Sequence, residues 1–273
     1  MTLNRVKKLP EYAFALAAHH EAFADELKAI VASLPIDPGS FVLDLACGDG
    51  SYAGWLAERA GPNGAVLAVD IDRDYLATAR TNTPGDRILF AAASLEQLPC
   101  ADGRFDLAWC AQSLFSLPDP VEALRRLAAL VRPGGRVAVM ENDSLHQVLL
   151  PWPIEVELTV RSAELMGFVD EADRPRKYYV ARQLIEHFRA AGLENCQKRT
   201  WVSDRQAPLD PATRAFLAHY LKNLRDRAAP HLEPSDLARI EPLFDPSSPQ
   251  YLLDGLDLSI TLVDQVVWGQ TAK

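Results

Sequence analysis

Ten consecutive residues combine an apolar stretch, an acid and two glycines one residue apart: Phe41-Val42-Leu43-Asp44-Leu45-Ala46-Cys47-Gly48-Asp49-Gly50. A β-strand that delivers its backbone to such a loop is how doubly wound α/β folds bind a nucleotide-like cofactor, at the carboxyl edge of the sheet. Glycine is needed there because a side chain would hold the backbone away from the ligand. The run therefore predicts a cofactor site at the end of the first strand.

Asp70 is the second acid with a predicted cofactor role. It follows Gly50 by 20 residues and ends the second predicted strand. An acid in this place can accept hydrogen bonds from the two adjacent hydroxyls of an adenosine ribose, and Ile71 beside it can pack on the adenine. The alternative is a helix N-cap, because Asp72 also precedes the predicted helix 73–81. Asp70 and Asp72 can divide the two roles between them.

Short apolar strands alternate with helices through the first half of the chain. We predict strands at 41–45, 65–69, 88–92, 105–110 and 136–141, and helices at 11–34, 51–60, 73–81 and 120–131. This alternation predicts a parallel sheet. After residue 141 the pattern changes, with predicted helices at 180–191, 211–228 and 234–240, and predicted strands at 196–203 and 256–268. We expect the helices that precede the last strand to cover one edge of the sheet.

The glycine loop also fits a second class of cofactor. Gly48 to Ala53 matches the loose dinucleotide pattern Gly-x-Gly-x-x-Ala, so an NAD-dependent dehydrogenase is an alternative. Two local features argue against it. A long predicted helix precedes the loop, which therefore does not open the chain, and Asp49 within the loop is a poor neighbour for a pyrophosphate.

Five motifs in order carry a resemblance to a known family: Val42 to Gly50, Val69-Asp70-Ile71, Leu98-Pro99, Phe105-Asp106-Leu107 and Leu130 to Arg136. They resemble the motifs of class I S-adenosylmethionine (SAM)-dependent methyltransferases. More narrowly, they resemble the small-molecule group that includes the ubiquinone and menaquinone C-methyltransferases.

The resemblance implies an architecture for the whole chain. We expect an α/β fold with a Rossmann-like, seven-stranded, mostly parallel sheet and helices on both faces. A single methyltransferase domain would span 1–273, with its SAM-binding core at 36–141. Residues 1–35 would form an N-terminal helical lid. Residues 142–180 and 204–257 would form a helical substrate cap, inserted before the last strand.

The resemblance also implies roles for single residues. The loop backbone would wrap the methionine portion of SAM, and Asp44 would orient that loop or a water near the methionine ammonium. Asp70 would hold the ribose, Ser94 and Leu95 would border the adenine, and Cys110 and Ala111 would approach the methionine end. The predicted cofactor-binding residues are Asp44, Ala46, Cys47, Gly48, Gly50, Asp70, Ile71, Ser94, Leu95, Cys110 and Ala111.

Two positions depart from the family pattern. The family commonly has an acid that meets the adenine amino group where Ser94 stands here. A serine oxygen can still accept a hydrogen bond, so we expect a weaker or water-mediated contact. The family often has His or Asn where Ala111 stands, so that contact would have to come from the backbone.

Methyl transfer from SAM is an in-line displacement, and the protein contributes mainly by aligning the reactants and excluding water. A thiolate or neutral amine acceptor needs no strong base, whereas an alcohol, a phenol or a carbon acid does. Candidate bases are Glu141, Asp143 and His146 after the fifth strand, and His19 or His20 on the first helix. We predict His146 as the catalytic base. For Glu141, the alternative to a role as base is to cap the segment that follows. His19 and His20 are adjacent, so at most one should face the site, and a surface position is the default for both.

The remaining candidates lie in the lid and the cap. Tyr12 is a candidate cofactor or substrate contact. The cap aromatics either stack on a planar substrate or form the cap's own core: Trp152, Phe168, Tyr178, Tyr179, Phe216, Tyr220 and Tyr251. Arg161, Arg174 and Arg176 either bind an acidic substrate or lie on a solvated helix face.

The net charge and composition of the chain limit which partners and which compartment we expect. The 273 residues carry a net charge of −9, which disfavours nucleic acid. The one tight basic cluster, Arg174 to Lys177, is expected to be a solvated loop. No stretch is apolar enough to span a bilayer, so we expect no membrane partner and a cytoplasmic protein. The four cysteines form no C-x-x-C pair, so we expect no metal site.

Together these features predict SAM-dependent methylation of a small organic acceptor. The second hypothesis is a SAM-binding protein without transferase activity, and the third is the NAD-dependent dehydrogenase. An exposed edge near the last strand leaves a homodimer open.

Overall fold

One mixed sheet organises the chain. The computed structural model describes residues 9, 13–171 and 179–273. Its helices are α1 (Ala13–Ala22), α2 (Ala24–Ser33), α3 (Ser51–Ala60), α4 (Arg73–Asn82), α5 (Pro120–Leu130), α6 (Ile154–Glu171), α7 (Val180–Ala190), α8 (Pro211–Ala228) and α9 (Pro234–Phe244). Its strands are β1 (Phe41–Leu45), β2 (Ala65–Asp70), β3 (Ile88–Ala92), β4 (Phe105–Ala111), β5 (Val131–Glu141), β6 (Val148–Leu149), β7 (Glu194–Gln206) and β8 (Ser259–Gln270).

Some sequence expectations concern residues outside these described ranges. They are the proposed contact Tyr12, the cap residues Arg174, Arg176 and Tyr178, and the basic cluster 174–177.

The strand order is β3-β2-β1-β4-β5-β8, with both β6 and β7 paired to β8. Strands β1 to β5 run parallel, whereas β8 is antiparallel to β5, β6 and β7. The expectation of a mostly parallel sheet with helices on both faces is confirmed. The expected count of seven strands is wrong for the described residues, which form eight. The extra strand is β6, where only Val148 and Leu149 pair with β8.

The register of the parallel strands brings their carboxyl ends to one edge of the sheet. Leu45, the last residue of β1, lies opposite Val69 of β2 on one side and Cys110 of β4 on the other. Ala111, the last residue of β4, lies opposite Met140 near the end of β5. The loops that follow these strands therefore emerge side by side.

Each face of the sheet has its own hydrophobic core, because strand side chains alternate between the two faces. On one face, residues such as Val42, Trp109 and Met140 pack with α2 and α3. On the other face, residues such as Leu43, Cys110 and Val139 pack with α5 and α7. Among the described helices, none is long and apolar enough to cross a bilayer.

The first predicted helix, 11–34, is two helices in the structure, and they meet at Phe23. Phe23 leaves the helical backbone conformation, and its ring is fully buried against Phe216 of α8. The Arg205 guanidinium lies 4.4 Å from the Phe23 ring centre and donates a hydrogen bond to the Ala22 carbonyl. It also pairs with Glu26 at 2.7 Å. The carbonyl that α1 exposes at its end is thus satisfied from β7.

Helices α6 and α8 approach each other closely at Gly167. A Cβ added to Gly167 would lie 2.7 Å from the carbonyl oxygen of Arg227. Because this carbonyl oxygen belongs to the backbone of α8, the two helices would have to separate to accept a Cβ at position 167.

We therefore expect Gly167→Ala to destabilise the protein, although alanine normally favours a helix over glycine by about 1 kcal/mol. Overpacking between the helices costs about 1–3 kcal/mol, which outweighs that gain. Urea denaturation should show a lower free energy of unfolding for this variant. Ser162→Ala, at an exposed position of the same helix, is the control and should change it by no more than about 0.5 kcal/mol. A stabilised Gly167→Ala variant would contradict the close packing.

Candidate functional site

The loop after β1 has three residues in the left-handed backbone region. They are Ala46, Gly48 and Gly50, with φ values of 57°, 52° and 84°. A Cβ on Gly50 would lie 2.8 Å from Thr83 Oγ1 and 2.9 Å from Ala79 Cβ. Position 50 therefore requires glycine for two reasons: its left-handed backbone conformation and the close approach of α4.

Asp70 ties this loop to the end of β2. Its Oδ2 accepts a hydrogen bond from the Gly48 amide at 3.0 Å, and its Oδ1 accepts one from the Asp72 amide at 2.8 Å. Asp72 in turn is the N-cap of α4 and accepts from the Asp74 and Tyr75 amides. Each carboxylate oxygen of Asp70 keeps a second lone pair for a ligand hydroxyl. Asp72 thus has the N-cap role, and Asp70 retains free acceptor capacity at the cavity.

Asp44 lies buried at the start of the loop. Its side-chain Oδ2 has no hydrogen-bond partner among the described residues. Burial, together with the nearby charges of Asp70 and Asp49, raises the pKa of Asp44 well above its usual value. A buried carboxyl without a partner is costly, so a positively charged ligand group beside it would be stabilised.

A cavity of about 1110 Å³ opens at this edge of the sheet. That volume slightly exceeds the usual range for small-molecule sites, which is about 300–1,000 Å³. Nine of the predicted cofactor-binding residues line it: Ala46, Cys47, Gly48, Asp70, Ile71, Ser94, Leu95, Cys110 and Ala111. Asp44 and Gly50 are not among the lining residues. The facing wall includes residues of α1, α6 and α8, among them Phe168, Phe216, His219, Tyr220, Asn223 and Arg227.

His20 of α1 is hydrogen bonded to Asp49 of the glycine loop. Its Nδ1 lies 3.0 Å and 2.9 Å from the two carboxylate oxygens, and both side chains are buried. Burial acts to raise the pKa of Asp49, but the hydrogen bonds from His20 and the Ser51 amide hold it below its usual value. Sequence reasoning missed this pair. The acid within the loop was its one signal, because a buried carboxylate needs a partner.

His19 is also buried and also lines the cavity. The expectation of surface positions for His19 and His20, with at most one facing the site, is therefore wrong. Helix α1 packs against α8 on one side, and on the other side its His20 contacts Asp49 of the glycine loop. The His19 ring lies 5.4 Å from that of Phe23 and 5.1 Å from that of Phe216. Burial, with a smaller contribution from His20, lowers the pKa of His19 to about 3.

His146, the predicted base, lies in the chain between two lining residues, Ser144 and Gln147. It is not a lining residue, and 55% of its side chain is exposed. Its Nδ1 lies 3.3 Å from Asp143 Oδ1 and 3.1 Å from Arg182 Nη2. Arg182 also pairs with Asp143. The structure thus gathers His146 and Asp143 into a surface cluster.

Glu141, the other candidate after β5, lines the cavity and is buried. Its Oε1 accepts hydrogen bonds from the Leu114 amide at 2.6 Å and the Phe115 amide at 3.3 Å. These amides open the short 3-10 helix at 114–116, so Glu141 has the capping role that the sequence left as an alternative. Burial raises the pKa of Glu141 to about 8.

A buried charge cluster joins α6 to α8. Glu164 accepts hydrogen bonds from Arg161 at 2.8 Å and Arg227 at 3.3 Å, and Arg161 also donates to Tyr220. Burial raises the pKa of Glu164 above its usual value despite both arginines. Arg227 lies 4.1 Å from the ring centre of Phe168. Arg161 is therefore part of a network, not of a solvated face.

The predicted cap aromatics divide between their two alternatives. Phe168, Phe216 and Tyr220 line the cavity. Trp152 packs on Phe244 in the core, and Tyr251 is buried there as well. Tyr179 stacks with Arg182 beside the surface cluster of His146.

The buried acid Glu141 generates a prediction about pH. Its pKa rises from an ordinary 4.5 to about 8 in the folded protein, so between these values the folded state binds more protons than the unfolded state. The free energy of unfolding should therefore fall as pH rises, by up to about 1.4 kcal/mol per pH unit from this group. Glu141→Gln keeps an oxygen acceptor and removes the titration.

Urea denaturation of both proteins checks this. Relative to the wild type, Glu141→Gln should gain stability between about pH 5 and about pH 7.5. A difference that stays constant over this interval would show that Glu141 does not hold a proton in the folded state.

Comparison with known proteins identifies the family. A family model described as a methyltransferase domain matches residues 43–139. The methyltransferase GfsG of Streptomyces halstedii is 36% identical over 186 residues, which cover 66% of this chain and 61% of GfsG. The ubiquinone/menaquinone biosynthesis C-methyltransferase UbiE of Cupriavidus taiwanensis is 30% identical over 184 residues, which cover 61% of this chain and 72% of UbiE.

A solved structure shares the fold. It is phosphoethanolamine N-methyltransferase 2 of Haemonchus contortus, in complex with phosphomonomethylethanolamine and S-adenosylhomocysteine. Its TM-score is 0.53 at 15% identity, and the match covers 99% of this chain and 60% of that one. The region matched by the family model contains the glycine loop, Asp70 and the end of β4. The matches to GfsG and UbiE are longer than this region, and both proteins are methyltransferases. The chain therefore belongs to the class I SAM-dependent methyltransferases and resembles the UbiE enzymes among them.

Proposed function

We propose that this protein transfers a methyl group from SAM to a small organic molecule. One observation carries the proposal: a single cavity joins the glycine loop and Asp70 to a wall built from α1, α6 and α8. Methyl transfer needs the donor and the acceptor in line and without water between them. A shared cavity of about 1110 Å³ has room for both molecules.

The residues present fit SAM. The buried Asp44 carboxyl, which has an oxygen without a partner among the described residues, suits a nearby ammonium group. The backbone of Ala46, Cys47 and Gly48 would hold the methionine portion, and Asp70 would hold the ribose. When bound, SAM supplies an electrophilic methyl group on a sulfonium.

The adenine would lie among three further lining residues, Ile71, Ser94 and Leu95. Ile71 is 75% exposed in the free protein, which leaves its side chain available to a ligand. Cys110 and Ala111 would border the methionine end, and Gly50 would act by shaping the loop. These assignments extend the motif-based expectations and are supported by the positions of the residues around the cavity.

The cap and the lid are proposals of the same kind. We infer one methyltransferase domain over 1–273, in which α1 and α2 belong to the lid and α6, α8 and α9 to the cap. Their contribution would be to cover the acceptor and keep water out. The packing of α8 on both α1 and α6 supports this arrangement.

We also infer the setting in which the enzyme works. The net charge of −9 supports a small-molecule acceptor and not a nucleic acid. The four cysteines are all free, which suits a reducing compartment such as the cytoplasm. A homodimer through the edge near the last strand is compatible with the fold. UbiE is a C-methyltransferase of ubiquinone and menaquinone biosynthesis, and that role supports a small organic acceptor here.

Calorimetric titration with SAM, S-adenosylhomocysteine and NAD tests cofactor choice first. We expect micromolar binding of the first two and none of NAD. Release of S-adenosylhomocysteine in the presence of an acceptor then tests the transfer. Binding of SAM without turnover of any acceptor would leave a SAM-binding protein and refute the transferase proposal.

Asp70→Ala should weaken SAM binding by about 1–3 kcal/mol, because charged hydrogen bonds to the ribose are lost. Calorimetry measures this directly. Asp102→Ala, which removes an exposed acid paired with Arg126, is the matched control and should leave SAM affinity unchanged. Equal affinity in the two variants would remove Asp70 from the cofactor site.

Asp44→Asn should separate stability from binding. The variant removes a buried carboxyl that has an oxygen without a partner, so the free energy of unfolding should rise by about 1–3 kcal/mol near neutral pH. SAM affinity should fall, because asparagine cannot become the carboxylate that a nearby ligand ammonium would stabilise. If binding is unchanged while stability rises, Asp44 has no role toward the cofactor.

A further inference from the structure

A histidine–carboxylate pair connects the first helix to the cofactor loop. His20 Nδ1 lies within 3.0 Å of both Asp49 oxygens, although the two residues are 29 positions apart. We propose that His20 is the general base of the transfer and that Asp49 positions it, so that the acceptor is an alcohol or a phenol. This inference rests on the methyl transfer proposed above and names the class of acceptor.

The hydrogen bond fixes which nitrogen of His20 is available. A carboxylate accepts the Nδ1 proton, which leaves the lone pair of neutral imidazole on Nε2. Asp49 is held ionised, and its Oδ1 also accepts the Ser51 amide, which orients the carboxylate from the other side. His20 lines the cavity, and its Nε2 is buried with no hydrogen-bond partner among the described residues. A hydroxyl bound in the cavity would supply that partner.

The other candidate bases lack this combination. Burial outweighs the favourable charge of Asp49 at His19 and lowers its pKa to about 3, which makes it a poor proton acceptor. Glu141 has a pKa of about 8 and is protonated near neutral pH, so it has no free site for a proton. His146 lies outside the cavity. Of these four candidates, His20 is the one that both lines the cavity and has a carboxylate hydrogen-bonded to its ring.

The acceptor oxygen forms a bond to the methyl carbon as the carbon–sulfur bond breaks and its electron pair stays on sulfur. The hydroxyl proton passes to Nε2 of His20, and Asp49 stabilises the imidazolium that results. The products are a methyl ether and S-adenosylhomocysteine, and the proton later leaves to solvent.

The wall that faces the cofactor loop agrees with such an acceptor. The rings of Phe168 and Phe216 offer apolar surface to its carbon skeleton. His219 and Asn223 on α8 are polar residues of the same lining.

The test uses three variants of the full chain. His20→Asn keeps a donor near the position of Nδ1 for Asp49 and removes the lone pair of Nε2. Asp49→Asn removes the charge and keeps an oxygen for the Ser51 amide. His187→Ala, on α7 and outside the cavity, is the control. Wild-type protein is first screened with phenols, primary alcohols, anilines and thiols, and S-adenosylhomocysteine release is measured.

We expect turnover of phenols or alcohols by the wild type. His20→Asn should lower kcat on such an acceptor by about 10²-fold or more, with little change in the KM of SAM. On a matched thiophenol, which is already a thiolate at mildly alkaline pH, the same variant should lose far less. Added imidazole should restore part of the activity on the phenol. His187→Ala should behave as the wild type.

Asp49 is tested by a spectroscopic signature as well as by rate. In nitrogen-15 histidine-labelled protein loaded with S-adenosylhomocysteine, the ring nitrogen shifts should show a proton on Nδ1 of His20. Asp49→Asn should alter that tautomer and lower kcat more than it raises KM. A tautomer that is unchanged in Asp49→Asn would overturn the positioning role.

Different failures have different meanings. If the wild type methylates acceptors but His20→Asn keeps full kcat, or if both the phenol and the thiophenol lose activity equally, the base role is overturned. A raised KM for SAM with unchanged kcat would instead assign His20 to the cofactor. Turnover of amines or thiols alone overturns the acceptor class. No turnover of any acceptor refutes the transferase proposal itself, and the base with it.

Discussion

The parallel register of β1 with β2 and β4 is the constraint on which the site depends. Leu45 lies between Val69 and Cys110, so three strands end together and their loops form one surface. Asp70 then fastens two of those loops through the Gly48 and Asp72 amides. A shift of one residue would turn the side chains of a strand to the other face and would separate Asp70 from the loop. The position of the glycine loop beside Asp70 therefore depends on this register.

Around that edge the protein buries several carboxyl groups. Burial raises the pKa of Asp44, Glu141 and Glu164, which means that the folded state does not favour their charged forms. Each has a different compensation. Glu141 accepts amide hydrogen bonds, and Glu164 is flanked by two arginines, whereas Asp44 has an oxygen without a partner. The buried carboxyl of Asp44 therefore destabilises the folded protein. Such a local loss of stability is typical of functional sites.

The wall over the site is assembled from distant segments. Arg205 of β7 holds the junction of α1 and α2, and Phe23 at that junction packs on Phe216 of α8. Helix α8 in turn packs on α6 at Gly167. Burial of His19 follows from this packing, since Phe216 of α8 covers it. His20 is covered from the other side by Tyr52, Trp55 and Asp49.

The sequence by itself determined what depends on neighbouring residues. Seven of the eight described strands, the glycine loop, the acid at the end of β2 and the N-cap at Asp72 follow from local periodicity and spacing. The ordered motifs indicate the family. Tertiary structure alone decided the contacts over long separations, such as His20 with Asp49 at 29 residues and Arg227 with Glu164 at 63. His146 shows the limit, because its position after β5 suggested a site residue, whereas Asp143 and Arg182 hold it at the surface. The reason is physical: spacing fixes backbone conformation, whereas a side chain's partners depend on which helices the hydrophobic core brings together.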